Sequence, residues 1–167
     1  MTRILVSLGG NALGVDFDDL VQTVGVIAEP IVGLLKNGHE VVVCHGNGPQ
    51  VGMIKTDIDL GKAGLREGRV MPLSECVAMS QSYIGYHLQN AIENQMGKQG
   101  VEGKVVTTVV SRCLVDAEDP GFANPTKPIG AFFDEDAASR MAAEGKTMIE
   151  DSGRGYREVV ASPIPKM

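Results

Sequence analysis

The chain has 167 residues, 43% of them hydrophobic, enough for one domain with a substantial core. It carries 21 acidic against 15 basic side chains, a formal charge of −6, which argues against a protein that grips nucleic acid or an anionic membrane over a broad basic face. Aromatics make up only 4% and tryptophan is absent, so the core must come from Val, Ile, Leu, Met and Ala, while 21 glycines point to tight turns and close backbone approaches.

Ile4–Leu8 is nearly continuous in apolar residues and reads as a strand buried on both faces, ending at Gly9-Gly10-Asn11. Residues 17–37 then carry Leu20, Val24, Ile27, Ile31, Leu34 and Leu35 at helical spacing, with Asp16, Asp18 and Asp19 at the start and Gly38 as the stop. Pro30 inside this stretch is expected to kink or split it. Val41–Cys44 is a second buried strand, so the order strand, helix, strand predicts a parallel pair with a right-handed crossover. A helix is expected from Pro49, and another from Pro72-Leu73-Ser74 to Gly97–Gly100.

Lys104–Arg112, rich in valine, reads as a third strand. From Asp116 the chain turns to prolines, glycines and short elements, with one clear helix from Asp134 to Gly145. The expected organisation is an N-terminal α/β lobe over 1–115 and a protruding, lid-like subdomain over 116–162. The fold class is α/β, a three-layer α/β/α arrangement with a mainly parallel sheet. Only three strands are available to that sheet, so it reads as unfinished. Cys44, Cys76 and Cys113 form no C-x-x-C pair and each sits in an apolar run, which suits reduced, buried thiols in a cytoplasmic protein. The N-terminal apolar stretch is too short for a signal peptide, and no later run approaches a membrane span.

Both early strands end in the same kind of corner, Gly9-Gly10-Asn11 and Gly46-Asn47-Gly48. Ligands of open α/β sheets bind beyond the carboxyl ends of the strands. Glycine there lets backbone N–H groups approach an anion, and a following helix adds unpaired donors and the positive end of its dipole. Pro49 suits a first helical turn, where its missing N–H is no loss. The opposing reading is that Gly and Asn only tolerate left-handed turns. Neither G-x-x-x-x-G-K-[ST] nor a complete G-x-G-x-x-G is present, which disfavours a P-loop enzyme or a Rossmann dehydrogenase.

Five stretches, Leu8–Ala12, His45–Gly52, Met79–Tyr86, Asn124–Gly130 and Glu150–Arg157, resemble carbamate kinase, an amino-acid kinase superfamily member, in order and spacing. The resemblance runs along the whole chain but matches only the N-terminal half of that family. Ala131, Ser152 and Arg112-Cys113 depart from its usual pattern. The resemblance implies an incomplete amino-acid kinase fold and phosphoryl transfer between ATP and carbamate, giving ADP and carbamoyl phosphate, with Mg2+. It implies that Gly9, Gly10, Gly46 and Gly48 present donors to the transferring group and that Asn11 and Asn47 orient its oxygens. It also brings Lys127, stiffened by Pro125 and Pro128, over the cleft as a cation. A unit charge at about 4 Å and an effective dielectric of about 20 is worth roughly 4 kcal/mol. No metal ligand is assigned in this chain, and the family's nucleotide-binding lobe lies outside it. A cytoplasmic homodimer is implied, with Met79, Tyr83 and Tyr86 as core or dimer contacts. His45 is expected to shape its loop, and Arg154 and Arg157 to brace the appended subdomain. The alternatives are another small-molecule kinase of the superfamily and a non-catalytic anion-binding or assembly fragment.

Overall fold

The structure, a computed structural model, describes residues 1–65 and 71–166; for residues 10, 11, 60 and 62–65 only the backbone is described. The elements run β1 (Arg3–Leu8), a 3-10 turn (Gly10–Leu13), α1 (Phe17–Lys36), β2 (Glu40–His45), α2 (Gly48–Leu65) and α3 (Leu73–Gln99). A second 3-10 turn (Pro120–Phe122), β3 (Lys127–Phe133), α4 (Glu135–Ala143), β4 (Met148–Glu150) and β5 (Tyr156–Val160) complete the order. They form two compact units, Met1–Gln50 with Pro72–Val110, and Val51–Met71 with Ser111–Met167. No helix among the described residues is long and apolar enough to cross a membrane.

In the first unit β1 and β2 pair in parallel, in register from Arg3↔Glu40 to Leu8↔His45. The crossover α1 starts where Asp16 accepts a hydrogen bond from the Asp19 N–H at 2.9 Å, and it stops before Gly38 at φ +81. It runs as one helix through Pro30. The carbonyl that loses its partner there belongs to Val26, on the exposed side of the helix, where the loss is not sealed from solvent. Helix α3 turns Ile84, Leu88, Ile92 and Met96 inward against Leu20, Val24, Ile31 and Val32 of α1. Val41, Val43 and Val106 pack onto the lower half of this core.

The sheet is barer than the sequence suggests. Leu5 and Val42 are 66% and 52% exposed and Cys44 is also exposed, because α1 and α3 cover only the face that carries Val41 and Val43. The burial expected on both faces is therefore corrected. The apolar runs reflect a strand meant for two covering layers, and this chain supplies one. Of the three thiols only Cys76 is buried; Cys44 and Cys113 are exposed. Lys104–Arg112 forms no ladder, so the parallel sheet has two strands among the described residues, not three. Valine content favours an extended backbone, but a strand also needs a neighbour to hydrogen-bond. The α/β class stands, as a small parallel sheet in one unit and an antiparallel sheet in the other.

The second unit is a β3-β5-β4 antiparallel sheet with α4 and the body of α2. The expected lobe of 1–115 thus yields Val51 onward of α2 to the other unit. The reason is a backbone contact: a Cβ on Gly52 would fall inside the backbone of Gly130, which itself needs φ +72 in an irregular stretch of β3. Lys146 lies 3.7 Å from both Asp59 of α2 and Glu158 of β5, reinforcing the same packing. Arg157 donates to Asp151 at 3.3 Å and to the Gly130 carbonyl at 3.0 Å, and Arg154 reaches Asp151 at 3.2 Å. Both guanidinium groups lie over the Phe132 ring, 5.1 and 4.7 Å from its centroid. Burial pushes the Asp151 carboxyl up, but the Arg157 and Ser152 hydrogen bonds and the Arg154 charge outweigh it and hold the group below its ordinary range. These arginines brace the unit. Helix α4 begins where Asp134 accepts from the Ala137 N–H at 2.7 Å, and Gly145 at φ +91 follows its end.

Gly52→Ala forces two backbones apart, so it is expected to destabilise the second unit by about 1–3 kcal/mol, a range typical of overpacking. Thermal unfolding checks this; an unchanged melting temperature would show that the two glycines do not touch.

Candidate functional site

The parallel register decides where the two glycine corners go. Leu8 and His45 are the last paired residues of β1 and β2, and the Gly46 N–H donates to the Leu8 carbonyl at 2.8 Å, one step beyond the strands. Gly9 and Gly46 therefore leave adjacent strands at the same level, and the corners lie side by side. Gly9 leads into the 3-10 turn Gly10–Leu13, closed by the Ala12 N–H to the Gly9 carbonyl at 2.9 Å. Gly48 opens the 18-residue α2, so unpaired N–H donors and the helix dipole sit immediately after the second corner.

These glycines are not there for unusual dihedrals. Gly9 has φ −61, and Gly48 is absent from the glycines with positive φ. Nothing lies within 4 Å of a Cβ built on either one. Any residue can adopt such a backbone, so what the missing side chain preserves is open space beside the strand ends. That is the property an oxyanion pocket requires.

Surrounding side chains fix the corners. The Asn47 amide donates to Ser80 Oγ at 2.7 Å, and Ser80, fully buried in α3, donates to the Val77 carbonyl at 2.7 Å. One Asn47 amide hydrogen is thus engaged by the protein, leaving the other for a ligand. His45 Nδ1–H donates to the Gly46 carbonyl at 3.0 Å, which shapes the loop as expected. Gln50, buried in the first turn of α2, donates to the Leu13 and Gly14 carbonyls at 3.4 and 3.1 Å and so ties the second corner to the end of the first. Its Oε1 is buried with no protein partner.

Ser80 and Gln50 were not singled out in the sequence. A serine at a buried helical position, between Cys76 and Ile84, is the signal that points to Ser80. Gln50 offers less, since a glutamine after a glycine loop is ordinarily solvated.

The remaining candidates fall elsewhere. The side-chain role expected of Asn11 lies outside what the structure describes, as does any side-chain statement for position 10. Lys127 is the first residue of β3, pinned by pairing with Val160, and its side chain is exposed. It belongs to the second unit. Tyr83, Tyr86 and Phe17 meet His87 edge-on with centroids 5.2–5.5 Å apart, and of these Tyr83 is partly buried against the Leu13–Leu20–Ile84 core. Tyr86 is 62% exposed. Burial, then the Asp16 charge, pushes the Tyr83 hydroxyl above its ordinary value. Among the described residues no three His, Cys, Asp or Glu side chains converge as a metal site.

No protein-family model matches the chain. It is 49% identical over 163 residues to the carbamate kinase-like protein YqeA of Escherichia coli, covering 98% of this chain and 52% of that protein. It is 46% identical over 166 residues to the carbamate kinase of Staphylococcus epidermidis, covering 99% of this chain and 53% of that one. Among solved structures, carbamate kinase from Giardia lamblia bound to citric acid superposes with a TM-score of 0.87 at 40% identity, covering 99% of this chain and 54% of the other. The same enzyme bound to AMP-PNP gives 0.76 at 40% identity, over 99% and 53%. The chain spans about half the length of the relatives it matches. In sequence and in fold, the chain is similar to these carbamate kinases along nearly its whole length and over about half of theirs.

Proposed function

We propose that this chain forms the carbamate and phosphoryl side of a carbamate kinase, which interconverts ATP plus carbamate with ADP plus carbamoyl phosphate. The observation that carries the reading is the pair of level, open corners at Gly9 and Gly48, beside the start of α2. Phosphoryl transfer asks mainly for positioning and charge neutralisation, and that is what these corners can supply. The carbamate oxygen is already a nucleophile, so the chain needs no covalent catalyst.

In this reading the N–H groups of Gly9, Gly10, Gly46 and Gly48 donate to the oxygens of the transferring group. Asn47, held by Ser80, adds its free amide hydrogen. Asn11 orients the acceptor, and Lys127 contributes the positive charge that the family motif Asn124–Gly130 implies. The homology and a relative bound to AMP-PNP support ATP as the partner nucleotide. Magnesium, when bound, neutralises charge on the nucleotide phosphates. Among the described residues no three His, Cys, Asp or Glu side chains gather to hold it. A homodimer is the assembly that the homology favours, with the exposed aromatics around His87 as its contact.

The purified 167-residue chain is expected to give no turnover of ADP plus carbamoyl phosphate in a coupled assay. Sustained ATP formation would mean that it carries a complete site. The same chain is expected to bind carbamoyl phosphate in calorimetry. Gly9→Val, which fills the open space without straining the backbone, should weaken that binding at least tenfold, since one hydrogen bond to a charged group is worth about 1.5–3 kcal/mol. Equal affinity in the variant would move the anion elsewhere. Sedimentation velocity should find a dimer, and a monomer at every concentration would remove the proposed contact.

A further inference from the structure

A cradle of N–H donors recognises the oxygens of a phosphorylated acid and nothing else about it. Donors beside Gly9 and Gly48 and at the start of α2 suit the anion of any acyl phosphate equally. To tell one acid from another, the site needs a group of the opposite kind, an acceptor.

The second corner carries one. Asn47 Nδ2 lies 2.7 Å from Ser80 Oγ, and that oxygen lies 2.7 Å from the Val77 carbonyl. Polar atoms approach so closely only with a hydrogen between them. Serine owns one hydroxyl hydrogen and a carbonyl owns none, so the serine hydrogen points at Val77. The asparagine must supply the other. Its NH2 group therefore faces Ser80 and its Oδ1 is the opposite prong of the amide. An amide turned the other way would set Oδ1 against the serine lone pairs, and Ser80 is fully buried, away from the solvent that could relieve the clash.

Ser80 is otherwise an unexpected residue at its position. It sits one helical turn from Cys76 and from Ile84, both fully buried, where alanine would hide no hydroxyl. Outside its own helix, its hydroxyl has a single partner among the described residues, Asn47. The Asn47 Oδ1 is the end left over. It enters no hydrogen bond among the described residues, and it is not one of the buried oxygens that lack a partner, so it is open to solvent at the corner.

We propose that Ser80 is a positioning residue, holding the Asn47 amide so that its oxygen faces the ligand and selects an acyl phosphate with an amino group over one with a methyl group. The inference rests on the carbamate kinase reading of this site and adds to it a means of recognising the amino end. An amino group donates to Oδ1, whereas a methyl group of the same size displaces water from Oδ1 and leaves it unpaired. The second Asn47 amide hydrogen remains for the anion.

Calorimetry with carbamoyl phosphate and with acetyl phosphate tests this, because the two ligands differ in that group alone. The 167-residue chain should bind carbamoyl phosphate about fivefold more tightly, the effect of roughly one net hydrogen bond. Asn47→Ala removes the acceptor and should bring the two affinities together. Ser80→Ala keeps Asn47 but lets its amide turn to suit either ligand, so the preference should fall below about twofold while the cooperative thermal melt is retained. A residue that served only stability would leave the ratio of the two affinities unchanged. Equal binding of both ligands by the unaltered chain would overturn the proposal and leave the anion cradle standing. So would a full preference surviving in either variant. Loss of the fold in Ser80→Ala would overturn the positioning role by making Ser80 a residue of the core. Binding of neither ligand by the unaltered chain would instead remove the carbamate kinase reading of these corners, and the proposal with it.

Discussion

The parallel ladder between β1 and β2 is the constraint on which the candidate site depends. Ile4, Val6 and Leu8 alternate with exposed neighbours, as do Val41 and Val43, and the inward set faces the helices. A slip of one residue in either strand would turn that set away from the core, so burial specifies the register. Once Leu8 sits opposite His45, the corners that follow have no freedom to diverge. The Gly46 N–H bond to Leu8 holds them level, and the Gln50 side chain locks the start of α2 onto Leu13 and Gly14. A hydrophobic pattern several residues away thus positions the two glycine corners.

The motif glycines perform different physical tasks. Gly9 and Gly48 keep ordinary dihedrals and border empty space, which suits ligand approach. Gly52 and Gly130 bring a helix and a strand into backbone contact inside the second unit, and Gly85 admits the Thr108 methyl against α3. In a linear motif such as His45–Gly52 these tasks are adjacent, four residues apart between Gly48 and Gly52, and look alike. Only what a Cβ would meet separates a glycine that borders open space from a packing one.

The uncovered sheet face has a clear physical meaning. A protein surface seldom presents contiguous apolar side chains without a partner for them. Here Leu5, Val42, Val105 and Val109 stand exposed on strand-like backbone, while the opposite side chains are packed on two long helices. Covering one face accounts for the folded core that exists; the other face leaves Leu5, Val42, Val105 and Val109 exposed among polar residues such as Arg3, Ser7 and Thr107. The homology over half of each relative fits that asymmetry.

The sequence by itself determined the elements and their chemistry. Apolar periodicity marked β1, α1, β2 and α3, acidic caps at Asp16 and Asp134 marked two helix starts, and glycine stops at Gly38, Gly100 and Gly145 marked the ends. These are local signals, carried by hydrogen bonds and dihedrals within a few residues. The paired corners were legible too, because both follow recognisable strands and because the motifs match a known family. Tertiary structure alone decided which faces are covered, that Lys104–Arg112 finds no ladder partner, and that the body of α2 belongs with β3. It also decided the parts played by Ser80 and Gln50. Each of these depends on a residue far away in sequence, and neither propensity nor spacing encodes the presence of a neighbour.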